Sequence, residues 1–153
     1  MEALQYVHDA SGRLCKQVMG ESLSVLGNIV IFCHYEDEYE RLKQIQAGLI
    51  TDETIDGRYF KLKTPIVFDE SNGVTGATYN YLYIRQPDPW RSQVGDLDFY
   101  LAPDKYRHLK SRLQKGEKIP GARIFPRDDL DMIELFDPDV DVLVYVRPVT
   151  LDA

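Results

Sequence analysis

The stretch GNIVIFCHYEDEYERLKQ, residues 27–44, recurs in altered form as VGDLDFYLAPDKYRHLKS at residues 94–111, and this recurrence is the main indication of the fold. The two stretches align without a gap at an offset of 67 residues, which is 94 minus 27. The identical pairs are Phe32 with Phe99, Asp37 with Asp104, Tyr39 with Tyr106, Leu42 with Leu109 and Lys43 with Lys110. They fall on a strand position, a helix-start acid and a helix stripe, so we interpret the match as an internal duplication.

Each repeated stretch reads as a β-strand followed by an α-helix. Residues 29–34 are an apolar, β-branched run too short for a helix, and residues 96–101 alternate between polar and apolar side chains. The segments after them carry tyrosine and leucine at helical spacing. Gly48 and Gly116 are placed to end the two helices.

The remaining segments predict further strands and their connections. The predicted strands are 59–68, 78–85, 122–125, 132–136 and 142–147, and the polar stretches 51–57 and 86–93 are predicted connections. Residues 1–26 predict an N-terminal hairpin extension, with two short strands around a Ser-Gly turn. The chain is then one domain, 1–153, whose first half is 27–88 and whose second half is 94–147.

Composition and charge limit the classes of partner. The chain has 153 residues, with 18 Lys and Arg against 25 Asp and Glu, for a formal net charge of −7. Nucleic acid and anionic membrane surfaces repel such a protein on average, so we expect neither as a partner. No stretch approaches the roughly 20 apolar residues of a membrane span, and the N-terminal residues do not resemble a secretion signal. A cytoplasmic location is the expectation.

Two stretches of the second half resemble the vicinal-oxygen-chelate superfamily of glyoxalases, bleomycin-resistance proteins and extradiol dioxygenases. GDLDFYLAPDKYRHLKSRLQKG (95–116) is similar to that family's strand and helix, and MIELFDPDVDVLVYV (132–146) is similar to its closing hairpin. The resemblance implies an α+β fold in which two βαβββ-like halves form a curved, mostly antiparallel sheet. It also implies helices on the outer face and a ligand inside the cup. No His stands at Asn28 or Gly95, where the family's enzymes begin their metal sites.

Strand alternation predicts which side chains line that cup. Residues two apart on a strand share a face, so Asp96 and Asp98 lie opposite Leu97. The predicted ligand-binding residues are Tyr79, Tyr81, Tyr83, Arg85, Asp96, Asp98, Tyr100 and Glu134. Acidic groups among aromatic rings suit a cationic ligand through charge pairing and cation–π contact. They also suit a hard divalent metal, with Asp96, Asp98 and Glu134 as ligands.

Three hypotheses about function stay open at this point. The first is a metal-free protein that binds a small, cationic or polar-aromatic molecule in the cup, which the missing His ligands favour. The second is a metal-dependent lyase, isomerase or dioxygenase, whose carboxylate site would prefer magnesium, calcium or manganese. The third is a protein–protein interaction module, and a homodimer is one expected form because paired βαβββ modules often associate.

Overall fold

Eight β-strands form one sheet in the computed structural model, which describes residues 2–71, 73–127 and 130–151. The helices of these residues are α1 (Glu2–Met19), α2 (Glu36–Ala47) and α3 (Pro103–Gln114). The strands are β1 (Val25–Phe32), β2 (Ile50–Ile55), β3 (Tyr59–Phe68), β4 (Ala77–Arg85), β5 (Gly95–Tyr100), β6 (Ala122–Ile124), β7 (Ile133–Leu135) and β8 (Val142–Arg147).

The strand order is β2-β3-β4-β1-β5-β8-β7-β6, which places the two halves side by side. In the first half β1 pairs in parallel with β4, and in the second half β5 pairs in parallel with β8. All other pairings are antiparallel, including the central contact between β1 and β5. The helices pack on one face, so the predicted α+β class with two βαβββ halves and a mostly antiparallel sheet is confirmed.

The helices α2 and α3 occupy equivalent positions in the two halves. An offset of 67 residues carries both ends of α2, 36 and 47, onto both ends of α3, 103 and 114. The first turn of α2 contains Glu36, Asp37 and Glu38, and α3 begins with Pro103, a residue favoured at the first helical position. A common origin of the halves stays a prediction.

The N-terminal segment is a helix, so the predicted hairpin at residues 1–26 is wrong. The buried side chains of α1 recur every three or four residues along the helix: Leu4, Val7, His8, Ala10, Ser11, Leu14 and Cys15. This period gives the helix one apolar face, which packs on β1, β5, β7 and β8. Gly12 is not a turn residue here. A Cβ on it would lie 2.7 Å from Cγ1 of Val74, so the missing side chain admits the loop between β3 and β4.

Residues 51–57 are not a polar connection, because most of them belong to β2 and its turn. This strand lies at the edge of the sheet, where polar side chains such as Asp52 and Glu53 are exposed to solvent. The backbone of Asp56 and Gly57 takes positive φ values of 57° and 68°, as tight hairpin turns require. The first half therefore contains the same four strands as the second.

A glycine at the start of β5 lets α1 approach the centre of the sheet. A Cβ at Gly95 would lie 2.5 Å from the backbone oxygen of Val30 and 2.5 Å from Cγ2 of Val7. The helices thus cover the central strands closely on one side, and Asp96 and Asp98 lie on the other. Among the described residues, no helix has the length and apolar content needed to cross a membrane.

Candidate functional site

The face of the sheet that the helices leave uncovered, here called the cup face, carries the polar residues of the central strands. On β5, Leu97 and Phe99 join the core under the helices, and Asp96 and Asp98 point the other way. The register places Asp96 opposite Val30 of β1. The predicted division of this strand into two faces is therefore confirmed.

Three side chains form what we call the acidic centre: Asn28, Asp96 and Asp98. Asn28 Nδ2 donates a hydrogen bond to Asp98 Oδ2 at 3.2 Å. The Oδ1 atom of Asn28 is buried and has no hydrogen-bond partner among the described residues. Asp98 is only 6% exposed. The centre therefore presents several buried oxygen acceptors and few donors.

The two carboxyl groups hold their protons more tightly than exposed aspartates do. Burial raises the pKa of Asp96 well above its ordinary value, and the neighbouring Asp98 raises it further, while the guanidinium groups of Arg85 and Arg91 oppose the rise. Burial also raises the pKa of Asp98, and the hydrogen bond from Asn28 opposes that rise. Two negative charges are thus difficult to place here together without a cation.

Aromatic side chains stand on both sides of the acidic centre. The rings of Tyr59 and Tyr83 meet edge to face at 5.3 Å, and so do the rings of Phe125 and Tyr145. The pKa values of Tyr59 and Tyr145 are raised, chiefly by burial and next by the carboxylate of Asp96. Both hydroxyl groups therefore keep their protons at neutral pH. Aromatic rings beside an acidic group favour a cationic guest.

Arginine side chains border this centre where β1 and β4 end. The guanidinium carbons of Arg85 and Arg91 lie 5.2 Å and 4.8 Å from the ring centroid of Phe32. Arg91 also approaches the carboxylate of Asp88, at 3.9 Å. At the end of β5, Tyr100 stands opposite Arg147, whose Nε atom is buried with no hydrogen-bond partner among the described residues.

The structure places Tyr81 and Tyr83 on the cup face with Asp96 and Asp98, but it does not place Tyr79 there. The register of β4 places Tyr81 opposite Asn28 and Tyr83 opposite Val30, both on the cup face. Tyr79 is fully buried beneath α1 instead, where its hydroxyl is hydrogen-bonded to His8 Nδ1 at 2.8 Å. The prediction that Tyr79 shares the face of Tyr81 is wrong, because the pairing of β3 with β4 is irregular at this point.

The three carboxylates predicted as a metal site do not converge. Tyr145 of β8 is the register partner of both Asp98 and Glu134, so these carboxylates lie two strands apart, about 10 Å at strand spacing. Glu134 also accepts a hydrogen bond from Arg123 Nε at 3.0 Å. In the described part of the chain, no group of three or more His, Cys, Asp or Glu side chains is placed to hold a metal ion. The predicted metal site therefore stays a prediction.

Comparison with known proteins adds information on the fold. No protein-family model matches the chain, and no curated protein matches it. A structure solved by structural genomics, "Protein EC4020", is 17% identical with a TM-score of 0.62, and the match covers 99% of this chain and 86% of that one. The likeness shows the fold alone. Since it covers nearly the whole chain, it includes the N-terminal helix.

Two further structures are more distant. Methylmalonyl-CoA epimerase from Streptomyces coelicolor, a vicinal-oxygen-chelate protein solved with 2-nitronate-propionyl-CoA, is 16% identical with a TM-score of 0.35. That match covers 84% of this chain and 100% of the epimerase. The integron cassette protein from the mobile metagenome of Halifax Harbour Sewage Outfall is 11% identical with a TM-score of 0.25, over 82% of this chain and 97% of the other. Likeness at this level carries no functional inference.

Several residues of the site escaped the sequence analysis. Asn28, Tyr59 and Tyr145 reach the acidic centre through cross-strand register, and Arg91 reaches it through the connection after β4. The alternation of residues 28, 30 and 32 along the first apolar strand could have identified Asn28. No local signal could have identified Arg91, because its position depends on the path of the connecting segment.

Proposed function

We propose that this protein binds a small organic cation on the cup face, with the cationic group at the acidic centre. The observation that carries the proposal is the pair of neighbouring carboxyl groups on one face of β5, half-buried Asp96 and buried Asp98, both with raised pKa values. Carboxyl groups with perturbed pKa values in a buried polar cluster are candidates for a functional site. A cation between them would favour the ionised form of both carboxyl groups.

The hydrogen-bonding groups favour an ammonium with N–H donors. An ammonium donates up to three hydrogen bonds, and the acidic centre offers acceptor oxygens on three side chains, Asp96, Asp98 and Asn28. The partnerless Oδ1 of Asn28 supports this choice, since an unsatisfied buried acceptor costs about 1–3 kcal/mol. A quaternary ammonium, which lacks N–H donors, would leave that cost in place.

The aromatic walls favour a ligand with an apolar body attached to its charge. Tyr59 and Tyr83 stand on one side of the centre, and Phe125 and Tyr145 stand on the other. A primary amine carrying a small ring or alkyl group satisfies both requirements. An ammonium would lower the raised pKa values of both carboxyl groups, so binding should release protons at any pH where the free protein still holds them.

Isothermal titration calorimetry with three probes tests the proposal. Benzylamine has the charge, the donors and a ring, while tetramethylammonium lacks the donors and benzyl alcohol lacks the charge. We expect measurable binding of benzylamine at pH 7.5, at least tenfold tighter than either other probe. Titrations repeated at lower pH in buffers of different ionisation enthalpy measure the proton release.

Two variants complete the test. Asp96→Asn removes one charge of the acidic centre and should weaken benzylamine binding at least tenfold. Asp52→Asn makes the same change on the exposed edge strand β2 and should leave binding unchanged. Equal affinity of the Asp96→Asn variant, or benzyl alcohol binding as well as benzylamine, would overturn the proposal.

The two alternatives from the sequence stay predictions. If the protein is a metal-dependent enzyme, its melting temperature should rise with magnesium, calcium or manganese and fall with chelator. A ligand that binds the folded state stabilises that state. An interaction module predicts a solution mass above that of one chain. Neither result is expected from amine binding alone, so the same protein preparation separates the three hypotheses.

A further inference from the structure

A groove lies between α2, the β2–β3 turn and the end of β4, and we call it the α2 groove; Tyr83 and Arg85, which border the acidic centre, also line it. Its volume is about 450 Å³, within the range of 300–1,000 Å³ typical of small-molecule sites. The lining residues that matter here are Tyr39, Lys43, Gln46, Arg58, Phe60 and Arg85. Three of them are cationic, and no Asp or Glu is among the described residues that line the groove.

One cation of the groove, Lys43, lies beside two aromatic rings. Lys43 Nζ lies 5.4 Å from the ring centroid of Phe60 and 6.0 Å from that of Tyr39. Within residues 2–71, 73–127 and 130–151, no carboxylate lies within 4 Å of the cationic groups of Lys43, Arg58 or Arg85. Lys43 and Arg58 thus have no carboxylate partner among the described residues in a chain of net charge −7, while Arg85 already offsets the charge of Asp96 at longer range.

The second half of the chain contains a carboxylate partner for its lysine, which the described residues of the first half do not provide. Lys110 stands at the position of Lys43 after the 67-residue offset, and its Nζ lies 2.9 Å from Asp131 Oδ1. Tyr106, at the position of Tyr39, donates its hydroxyl hydrogen to the same oxygen at 2.7 Å. In the second half an internal carboxylate therefore satisfies the lysine. In the first half the corresponding lysine is open to an anion from outside.

A buried amide adds a hydrogen-bond acceptor to the groove. Gln46 is 1% exposed, and its Nε2 donates to the backbone oxygen of Leu82 at 3.1 Å. Its Oε1 atom is buried and has no partner among the described residues. A ligand that donates an N–H or O–H to this oxygen would satisfy it.

We infer that the α2 groove binds a small planar molecule that carries a carboxylate or phosphate group and a hydrogen-bond donor. The anionic group lies among Lys43, Arg58 and Arg85, and the planar part lies against the aromatic lining beside Phe60. A nucleoside monophosphate has all three features, and so does an aromatic carboxylate with a ring N–H. Both sources share this chemistry, and the probes separate them.

Equilibrium binding of four probes at low salt tests the inference: adenosine monophosphate, indole-2-carboxylate, adenosine and inorganic phosphate. We expect at least one of the two planar anions to bind, and at least tenfold more tightly than adenosine or inorganic phosphate. Affinity should fall as salt rises, because exposed charge pairs are screened. Inorganic phosphate binding as tightly as the planar anions would overturn the planar part of the inference.

Lys43→Met keeps much of the side chain's length but removes its charge, and it should weaken planar-anion binding at least tenfold. Lys110→Met is the matched control in the second half and should leave binding unchanged. Arg58→Gln, at an exposed position, should also weaken binding and guards against a folding defect in the first variant. Unchanged affinity in both Lys43→Met and Arg58→Gln, or no binding of either planar anion, would overturn the inference.

The two proposals fail independently of each other. Asp96→Asn should weaken benzylamine binding while leaving planar-anion binding intact, and Lys43→Met should do the reverse. If one variant lost both benzylamine binding and planar-anion binding, the cause would be a folding defect, which circular dichroism detects directly.

Discussion

Replacing Asp96 with asparagine should make the folded protein more stable at neutral and alkaline pH. The change removes one of two neighbouring carboxylates while keeping the side chain's shape. Asp96 and Asp98 are two residues apart on the same face of β5, so their side chains lie about 7 Å apart. Two unit charges at that distance repel by about 2 kcal/mol at an effective dielectric constant near 20.

Arg85 and Arg91 offset part of this repulsion, so the expected gain in the free energy of unfolding is about 1–2 kcal/mol. For a chain of this size, that gain raises the melting temperature by roughly 2–8 °C. Greater stability with weaker amine binding is the trade-off expected when a functional site is neutralised.

The sign of the pH dependence follows from the raised pKa values. Between the unfolded-state pKa of about 3.9 and the higher folded-state value, the folded protein holds protons that the unfolded chain has released. The contribution of this group to stability is therefore fully present below about pH 3.9 and is lost as the pH rises through the folded-state pKa. The advantage of Asp96→Asn should be small in acid and grow as the pH rises.

Urea unfolding followed by far-ultraviolet circular dichroism at pH 4.5, 6 and 8 measures this dependence. Asp52→Asn serves as the control, because its carboxylate is exposed on β2 and its stability difference should stay near zero. Repulsion between Asp96 and Asp98 is refuted if Asp96→Asn is less stable than the natural sequence at pH 8. It is also refuted if the stability difference does not change with pH.

Three further predictions concern the contacts of α1 and the close approaches of the sheet. Tyr79→Phe removes a buried hydroxyl bonded to His8 and should lower the free energy of unfolding by about 1–2 kcal/mol in urea titrations; an unchanged midpoint would contradict that bond. Burial lowers the pKa of His8, so stability should fall as the pH drops from about 6.5 through the folded-state pKa, and His8→Gln should flatten this fall in melting-temperature scans. Gly95→Ala should cost about 1–3 kcal/mol because its Cβ would press on Val7, whereas Gly48→Ala, with its nearest atom at 3.7 Å, should be tolerated; equal unfolding midpoints would refute this.

The elements predicted well are those whose signal is local. The period of apolar residues and the glycine after the last turn predicted α2, and strict alternation predicted β5. The N-terminal helix was missed because Ser11 and Gly12 read as a turn, although the glycine only admits the side chain of Val74. The edge strand β2 was missed because its polar residues carry no apolar pattern, and its hydrogen bonds to β3 define it.

The candidate site divides in the same way. Asp96, Asp98 and the tyrosines of β4 could be assigned to one face from alternation alone, except where the irregular pairing with β3 turns Tyr79 inward. Alternation is a property of a single strand, so it holds until a bulge interrupts it. Where Asp98 meets Asn28, or where Arg91 meets Phe32, depends on strand register and on the path of a connection.

The sequence alone predicted the two strand–helix units, the two central acids of β5, and the helices α2 and α3. This was possible because helices and strands each have a characteristic spacing of apolar residues that are close together along the chain. Three features became visible only in the tertiary structure. Glu134 lies two strands from Asp98, Lys43 faces an open groove, and Lys110 is paired with Asp131 instead. Those outcomes depend on contacts between residues distant in sequence, which no local pattern encodes.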